Sequence, residues 1–256
     1  MLLKDKICIV AGAASPRGIG YATAQLFAEH GATVVMLDIA IDDSTVESLK
    51  QTMAPTVRRS AEVRALRCDI TSLEDCKRAV EEVVARYGAV DCLINSAGIV
   101  RGTPTLSIED AEYEQMLAVN LKGAFNLCQS VLPLLLKRGS GSIVNLSSSA
   151  AQRGGGLVGG AHYAASKAGV IGLTRTIARE FGAKGIRANI VCPAMIETSM
   201  LDGLSAARMK EIIEAVPLQR PGLPREVAGA CLFLASDLGG FVTGATIDVN
   251  GGSHIH

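Results

Sequence analysis

Short runs rich in β-branched and apolar residues alternate along the chain with longer segments in which apolar positions recur every three or four residues. The runs fall at 6–11, 32–38, 63–69, 91–95, 142–147, 186–192 and 245–249, and the segments of helical period near 18–30, 42–53, 72–87, 109–137, 162–182 and 224–236. Strand and helix alternating in this way give right-handed crossovers and a parallel sheet. Ile7-Cys8-Ile9-Val10 and Thr33-Val34-Val35-Met36-Leu37 are apolar at odd and even positions alike, so both faces of that sheet must be covered. The pattern predicts an α/β, doubly wound fold: three layers built on a seven-stranded parallel sheet. Ligands of such sheets bind beyond the carboxyl ends of the strands, and the residues just after each run are therefore the ones that carry chemistry.

No linker, charge block or repeat divides the 256 residues, and one domain is expected over 1–256. Lys plus Arg equals Asp plus Glu at 25 each, which removes the electrostatic reason to expect nucleic acid or an anionic membrane surface and favours a small-molecule partner. The first residues, Met1-Leu2-Leu3-Lys4-Asp5-Lys6, enter the first run without the basic and apolar regions of an export signal. The apolar stretch 131–136, interrupted by Pro133, falls far short of the ~20 residues a membrane span needs. Seven cysteines, odd in number, without a CxxC pair and mostly inside apolar runs, read as reduced, buried thiols of a cytoplasmic protein, not metal ligands.

Glycine, at 27 residues, is in excess, and the first concentration of it follows the first run. Gly12-Ala13-Ala14-Ser15-Pro16-Arg17-Gly18-Ile19-Gly20 stands between a strand and a helix, where glycines let backbone approach a pyrophosphate and the helix N-terminus offers free N–H groups. The second run ends in Asp38, a carboxylate able to accept from an adenosine ribose and to repel a 2′-phosphate, which favours NAD over NADP. Arg17 pulls the other way, since a guanidinium beside the loop can hold a 2′-phosphate. Asp69, followed by Ile70 after the third run, either reaches an adenine amino group or caps the next helix. Asn95-Ser96-Ala97-Gly98 forms a small-residue turn after the fourth run, suited to close passage of a cofactor.

Tyr163 and Lys167 in Tyr163-Ala164-Ala165-Ser166-Lys167 are four apart on one helix face, so their side chains are neighbours. A free phenol has pKa ~10, and an ammonium beside it favours the phenolate, the form that takes a hydroxyl proton. Ser147-Ser148-Ser149 puts hydroxyls at the end of the fifth run, where they can polarise a substrate oxygen. Asn120 lies in phase with the apolar stripe of the 109–137 helix; it is either a satisfied core carboxamide or the holder of a water leading to Lys167.

These motifs together resemble the short-chain dehydrogenase/reductase family over essentially the whole chain, with Pro193 and Thr198 after the sixth run completing the match. The resemblance implies a Rossmann-type fold, a nicotinamide cofactor (NAD, with NADP as the alternative) and an Asn-Ser-Tyr-Lys tetrad mapping to Asn120, Ser148, Tyr163 and Lys167, in which Lys167 lowers the tyrosine pKa. It assigns cofactor contacts to Gly12, Ser15, Arg17, Gly18, Ile19, Gly20, Asp38, Asp69, Ile70, Asn95, Ala97, Gly98, Pro193, Ala194, Ile196 and Thr198, besides Tyr163 and Lys167. Three departures stand out. The glycine loop is two residues longer than the family norm, around Pro16-Arg17. Tyr163 stands fifteen positions after Ser148, also more than usual, which leaves Ser149 as a competitor for the serine role. Ala194 stands where the family often has glycine.

The resemblance further implies a substrate lid at about 195–221 and a homotetramer whose interface uses the 109–137 and 162–182 helices. Gln152, His162 and Met195, with Ser148, are the expected substrate contacts. The activity expected is interconversion of a secondary alcohol and a ketone. An NADPH-dependent 3-oxoacyl-[acyl-carrier-protein] reductase is the alternative, and a non-enzymatic nucleotide sensor is disfavoured by the intact tetrad.

Overall fold

Position by position across the sheet, Val35, Ile9, Leu93, Ile143 and Ala188 stand side by side in register, and every one of them is buried in the same hydrophobic cluster. Their neighbours one residue on, Met36, Val10, Ile94 and Val144, belong to the opposite cluster. The side-chain period of two in a strand thus deals alternate residues into two cores, which is why these strands read as continuously apolar. In the computed structural model, residues 1–42, 46–47, 62–155, 158–203 and 205–255 are described.

The strands are β1 (Ile7–Ala11), β2 (Thr33–Asp38), β3 (Val63–Arg67), β4 (Cys92–Asn95), β5 (Gly141–Leu146), β6 (Ile186–Pro193) and β7 (Thr246–Val249). They form one seven-stranded sheet in the order β3-β2-β1-β4-β5-β6-β7, with every pairing parallel. Helices α1 (Ile19–Glu29) and, late in the chain, Pro224–Ala235 cover one face. On the other face lie α2 (Leu73–Tyr87), the long helix through residue 128 and Ala161–Phe181. Helix α2 begins where Ser72 accepts from the Asp75 N–H and ends at Gly88 with φ 78°, a serine cap and a left-handed glycine stop.

The segment expected to be helical at 109–137 is helical throughout but not uniform. It runs as α3 (Asp110–Leu117), a π-helical turn over Ala118–Lys122, and α4 (Gly123–Arg138). Asn120 sits inside the wide turn. After β5 come the short α5 (Ala150–Arg153), the long α6 (Ala161–Phe181), and, beyond β6, α7 (Ala206–Glu214) and α8 (Pro224–Ala235). Most of the helix expected at 42–53 lies outside the described residues. All seven cysteines are free and buried.

Candidate active site

Strand order reverses between β1 and β4, whose successors β2 and β5 lie on opposite sides. The two loops leaving this point are pressed together: Gly12 has φ 76°, and a Cβ on it would lie 2.5 Å from the Ala97 backbone. Only glycine fits there, on grounds of both conformation and space. Beyond the loops opens a cavity of about 830 Å³, which extends from β2 past β1, β4 and β5 to the segment after β6.

One end of the cavity is walled by Gly12, Ser15, Gly18, Ile19, Asp38, Asp69 and Ile70, and its middle by Ala97, Gly98, Pro193, Ala194, Ile196 and Thr198. Asp38 is braced by two backbone donors: Oδ2 accepts from Ala14 N–H at 3.0 Å and Oδ1 from Ala40 N–H at 3.0 Å. Asp69 Oδ1 accepts from the Thr71 N–H and hydroxyl at 2.9 and 2.8 Å, while the helix cap alternative falls to Ser72. The bare glycine surface, the carboxylate at the end of β2 and the free N-terminal turn of α1 fit a dinucleotide.

Three residues expected at the cofactor stand elsewhere. Arg17 does not face the cavity; its guanidinium pairs with Asp202 at 2.8 and 3.1 Å and donates to the Thr198 carbonyl at 3.4 Å. Gly20 is a packing glycine, since a Cβ there would strike the Gly12 carbonyl. Asn95 points into the interior, donating to Asn145 Oδ1 at 3.3 Å.

Tyr163, Lys167, Ser148 and Ser149 all reach the cavity wall. Of the two serines, it is Ser148 that interacts with the Tyr163 phenol, favouring its ionised form, whereas Ser149 is buried at the start of α5. Two bonds lock α6 against the sheet: Ser147 Oγ donates to the Lys167 carbonyl at 2.8 Å, and Lys167 Nζ donates to the Leu146 carbonyl at 3.0 Å. Burial lowers the Lys167 pKa to about 8, because the ammonium is the form that water solvates best. Burial also raises the Tyr163 pKa, and Ser148 works in the opposite direction. The expected lowering of the phenol by Lys167 is not part of this balance: among the protein groups, desolvation dominates.

Asn120 does not itself wall the cavity. Its Oδ1 accepts from Ile99 N–H at 2.8 Å, and its Nδ2 donates to the Ile99 carbonyl and to Ser166 Oγ, each at 3.0 Å. Ser166 in turn donates to the Tyr163 carbonyl at 2.8 Å. The π-helical turn thereby ties the β4 loop to the helix that bears Tyr163 and Lys167, in keeping with the association of such turns with functional sites. Of the two sequence alternatives, the satisfied carboxamide is what the structure displays. Gly98 keeps the adjoining space open, for a Cβ on it would sit 3.1 Å from both Asn120 Oδ1 and Lys167 Nζ.

Among the expected substrate contacts, Ser148 and Met195 line the cavity, and Gln152 and His162 do not. Gln152 Nε2 donates to Asp248 Oδ1 at 2.9 Å. His162, one residue from Tyr163 but about 100° further round the helix, is buried with Nε2 2.9 Å from Glu112 Oε1 and faces a separate small cavity with Tyr113 and Ile108. Sequence reasoning missed Arg153 and Ser253, which both line the main cavity and meet where Arg153 Nη1 donates to the Ser253 carbonyl at 3.2 Å. Ile212, Ala215 and Val216, inside the segment expected as a lid at 195–221 but not singled out there, also line the cavity. Near the end of the chain Asn250 Nδ2 donates to the His254 carbonyl at 2.8 Å, in a turn that brings Ser253 to its own chain's cavity. Among the described residues there is no cluster of metal-binding side chains and no helix long and apolar enough to cross a membrane.

Comparison with known proteins agrees with this geometry. A family model described as enoyl-(acyl carrier protein) reductase matches residues 12–254. An uncharacterized short-chain type dehydrogenase/reductase, y4mP of Sinorhizobium fredii, is 48% identical over the full length of both chains. A protein named 3-oxoacyl-[acyl-carrier-protein] reductase FabG from Thermotoga maritima is 41% identical, with 98% of this chain and 99% of that one covered. Among solved structures, gox2181 superimposes with a TM-score of 0.91 at 32% identity, covering 98% of this chain and 96% of that one. A short-chain dehydrogenase/reductase structure from Burkholderia xenovorans gives 0.89 at 34% identity, covering 98% and 97%. With its all-parallel sheet, glycine cradle and Tyr163–Lys167 helix, the chain belongs to the short-chain dehydrogenase/reductase family, oxidoreductases that act on CH–OH groups with a nicotinamide cofactor.

Proposed function

We propose that the chain is an NAD-preferring dehydrogenase interconverting a secondary alcohol and a ketone, with Tyr163 as its acid/base. The observation that carries the reading is that Tyr163 and Ser148 stand together on the cavity wall, close enough for Ser148 to favour the phenolate, with Lys167 buried behind them. Ser148 orients the reacting oxygen and donates to it as charge develops. Tyr163 takes the hydroxyl proton in oxidation and returns it in reduction. Lys167 and Asn120 hold the helix and the β4 loop in register around that proton. A nicotinamide dinucleotide, when bound, supplies or accepts the hydride. The residues that would hold it are Gly12, Ser15, Gly18 and Ile19 at the pyrophosphate, Asp38 at the ribose, Asp69 and Ile70 at the adenine, and Ala97, Gly98, Pro193, Ala194, Ile196 and Thr198 along the rest.

The preference for NAD rests on Asp38, whose carboxylate lines the cavity, and on Arg17 being engaged by Asp202. Affinities for NAD and NADP, measured by quenching or calorimetry, test it; tighter NADP binding overturns it. A second reading, an NADPH-dependent 3-oxoacyl-[acyl-carrier-protein] reductase, is favoured by the similarity to the Thermotoga maritima protein of that name. Activity toward acyl thioester ketones compared with free alcohols separates the two.

The same proposal takes residues 1–256 as one domain, with 195–221 as the substrate lid, and as a cytoplasmic homotetramer. Seven free cysteines support a reducing compartment. Exposed Tyr113, Phe125 and Leu136 on α3 and α4 support an interface on those helices. Gly172 on α6 leaves open space where a Cβ would be, whereas Gly169 already serves Leu121 within the chain. Light scattering behind size exclusion tests the assembly.

A further inference from the structure

The charges that line the cavity are unevenly placed. Its two carboxylates, Asp38 and Asp69, are at the β2–β3 end. In the half that holds Ser148 and Tyr163 the charged lining residues are Lys167 and Arg153, both cationic. Lys167 is sealed behind the tyrosine, whereas Arg153 is exposed at the end of α5, five residues beyond Ser148. The guanidinium has five N–H donors, and among the described residues it donates to one backbone carbonyl, that of Ser253, and pairs with no carboxylate. The lining of the cavity also includes the apolar side chains of Val158, Met195, Ile212 and Val216.

An exposed guanidinium on the cavity wall, with donors beyond the one used among the described residues, is a receptor for an anion on the ligand. We infer that Arg153 is a specificity-determining residue, and that the substrate carries an anionic group at the end away from its reacting carbon, which Arg153 binds while the carbon sits at Ser148 and Tyr163. The inference rests on the oxidoreductase reading above and names the substrate class for it. Two sources can supply such an anion, a carboxylate on a small hydroxy or oxo acid, or the phosphate of a phosphopantetheine arm. Ser253, through its carbonyl, positions Arg153 at the mouth.

The test compares pairs that differ in the anionic group: 3-hydroxybutyrate against its methyl ester, and acetoacetyl-phosphopantetheine against acetoacetyl-pantetheine. Wild type favours the charged member of one pair. Arg153→Met lowers that ratio of kcat/KM about tenfold, through KM more than kcat, and Arg153→Lys restores part of it. Loss in the first pair assigns a carboxylate, and loss in the second a carrier phosphate. Ratios that stay the same in Arg153→Met while turnover still depends on Tyr163 overturn the inference and leave the oxidoreductase reading standing. Wild-type turnover that survives Tyr163→Phe overturns the reading beneath it.

Discussion

Asn120 grips Ile99 by both faces of its backbone, accepting from the N–H at 2.8 Å and donating to the C=O at 3.0 Å. This pairing fixes the β4 loop to the π-helical turn, and through Ser166 to α6. Asn120→Asp keeps the acceptor but loses the donor, and sets a carboxylate near a carbonyl. The variant is expected to lose about 1–3 kcal/mol of stability and to lose kcat more than cofactor affinity. Denaturant unfolding and steady-state kinetics check both.

Burying Lys167 carries a cost in stability that depends on pH. Its folded pKa of about 8 lies below the ordinary 10.5, so between these values the unfolded chain holds the proton more tightly and stability rises with pH. Below about pH 8 both states are charged and the folded state bears the full cost of the buried ammonium. Lys167→Met is therefore expected to be inactive yet more stable at pH 7, on the order of 2 kcal/mol, with the gain shrinking as pH passes from 8 to 10.5. Thermal unfolding at pH 7 and pH 10 measures this; a variant less stable than wild type at pH 7 contradicts it.

The cofactor preference is expected to follow Asp38 and to ignore Arg17. Asp38→Ala removes the carboxylate and should lower kcat/KM for NAD about tenfold while improving NADP use. Arg17→Ala should leave the NAD/NADP ratio within about threefold, since the guanidinium is held by exposed Asp202 in a pair of small energetic weight. A large shift from Arg17→Ala, measured with both cofactors, would return that residue to the 2′-phosphate.

Gly98 has no left-handed backbone to protect, yet its missing side chain leaves room beside two functional groups. Gly98→Ala puts a Cβ 3.1 Å from Asn120 Oδ1 and Lys167 Nζ. Turnover should fall about tenfold or more through displacement of those groups, with the far-ultraviolet dichroism and melting transition close to wild type.

The inner strands were legible because both of their faces are buried, which leaves a continuous apolar run such as 7–10 and a turn signal after it. The glycine cradle and the Tyr163–Lys167 pair were legible because each is local, a strand-to-helix turn and one helical repeat. What the sequence concealed depends on distant partners. Arg17 is held outside the cavity lining by Asp202, and Gln152 by Asp248. Arg153 gains its place through Ser253, one hundred residues away in the chain. His162 was misplaced by helix geometry, since adjacency in sequence turns a side chain to another face. The widened turn at Asn120 left no trace in the 109–137 periodicity, because tertiary bonds to Ile99 and Ser166 sustain it.

The central claim is that Tyr163 moves the proton of a hydride-transfer reaction. Single-turnover absorbance of the reduced nicotinamide, with a secondary alcohol that wild type oxidises and with saturating NAD, addresses it directly when repeated on Tyr163→Phe. The account predicts that the rate falls by about a thousandfold while the affinity for NAD changes less than about threefold. A variant that turns over within tenfold of wild type would contradict it.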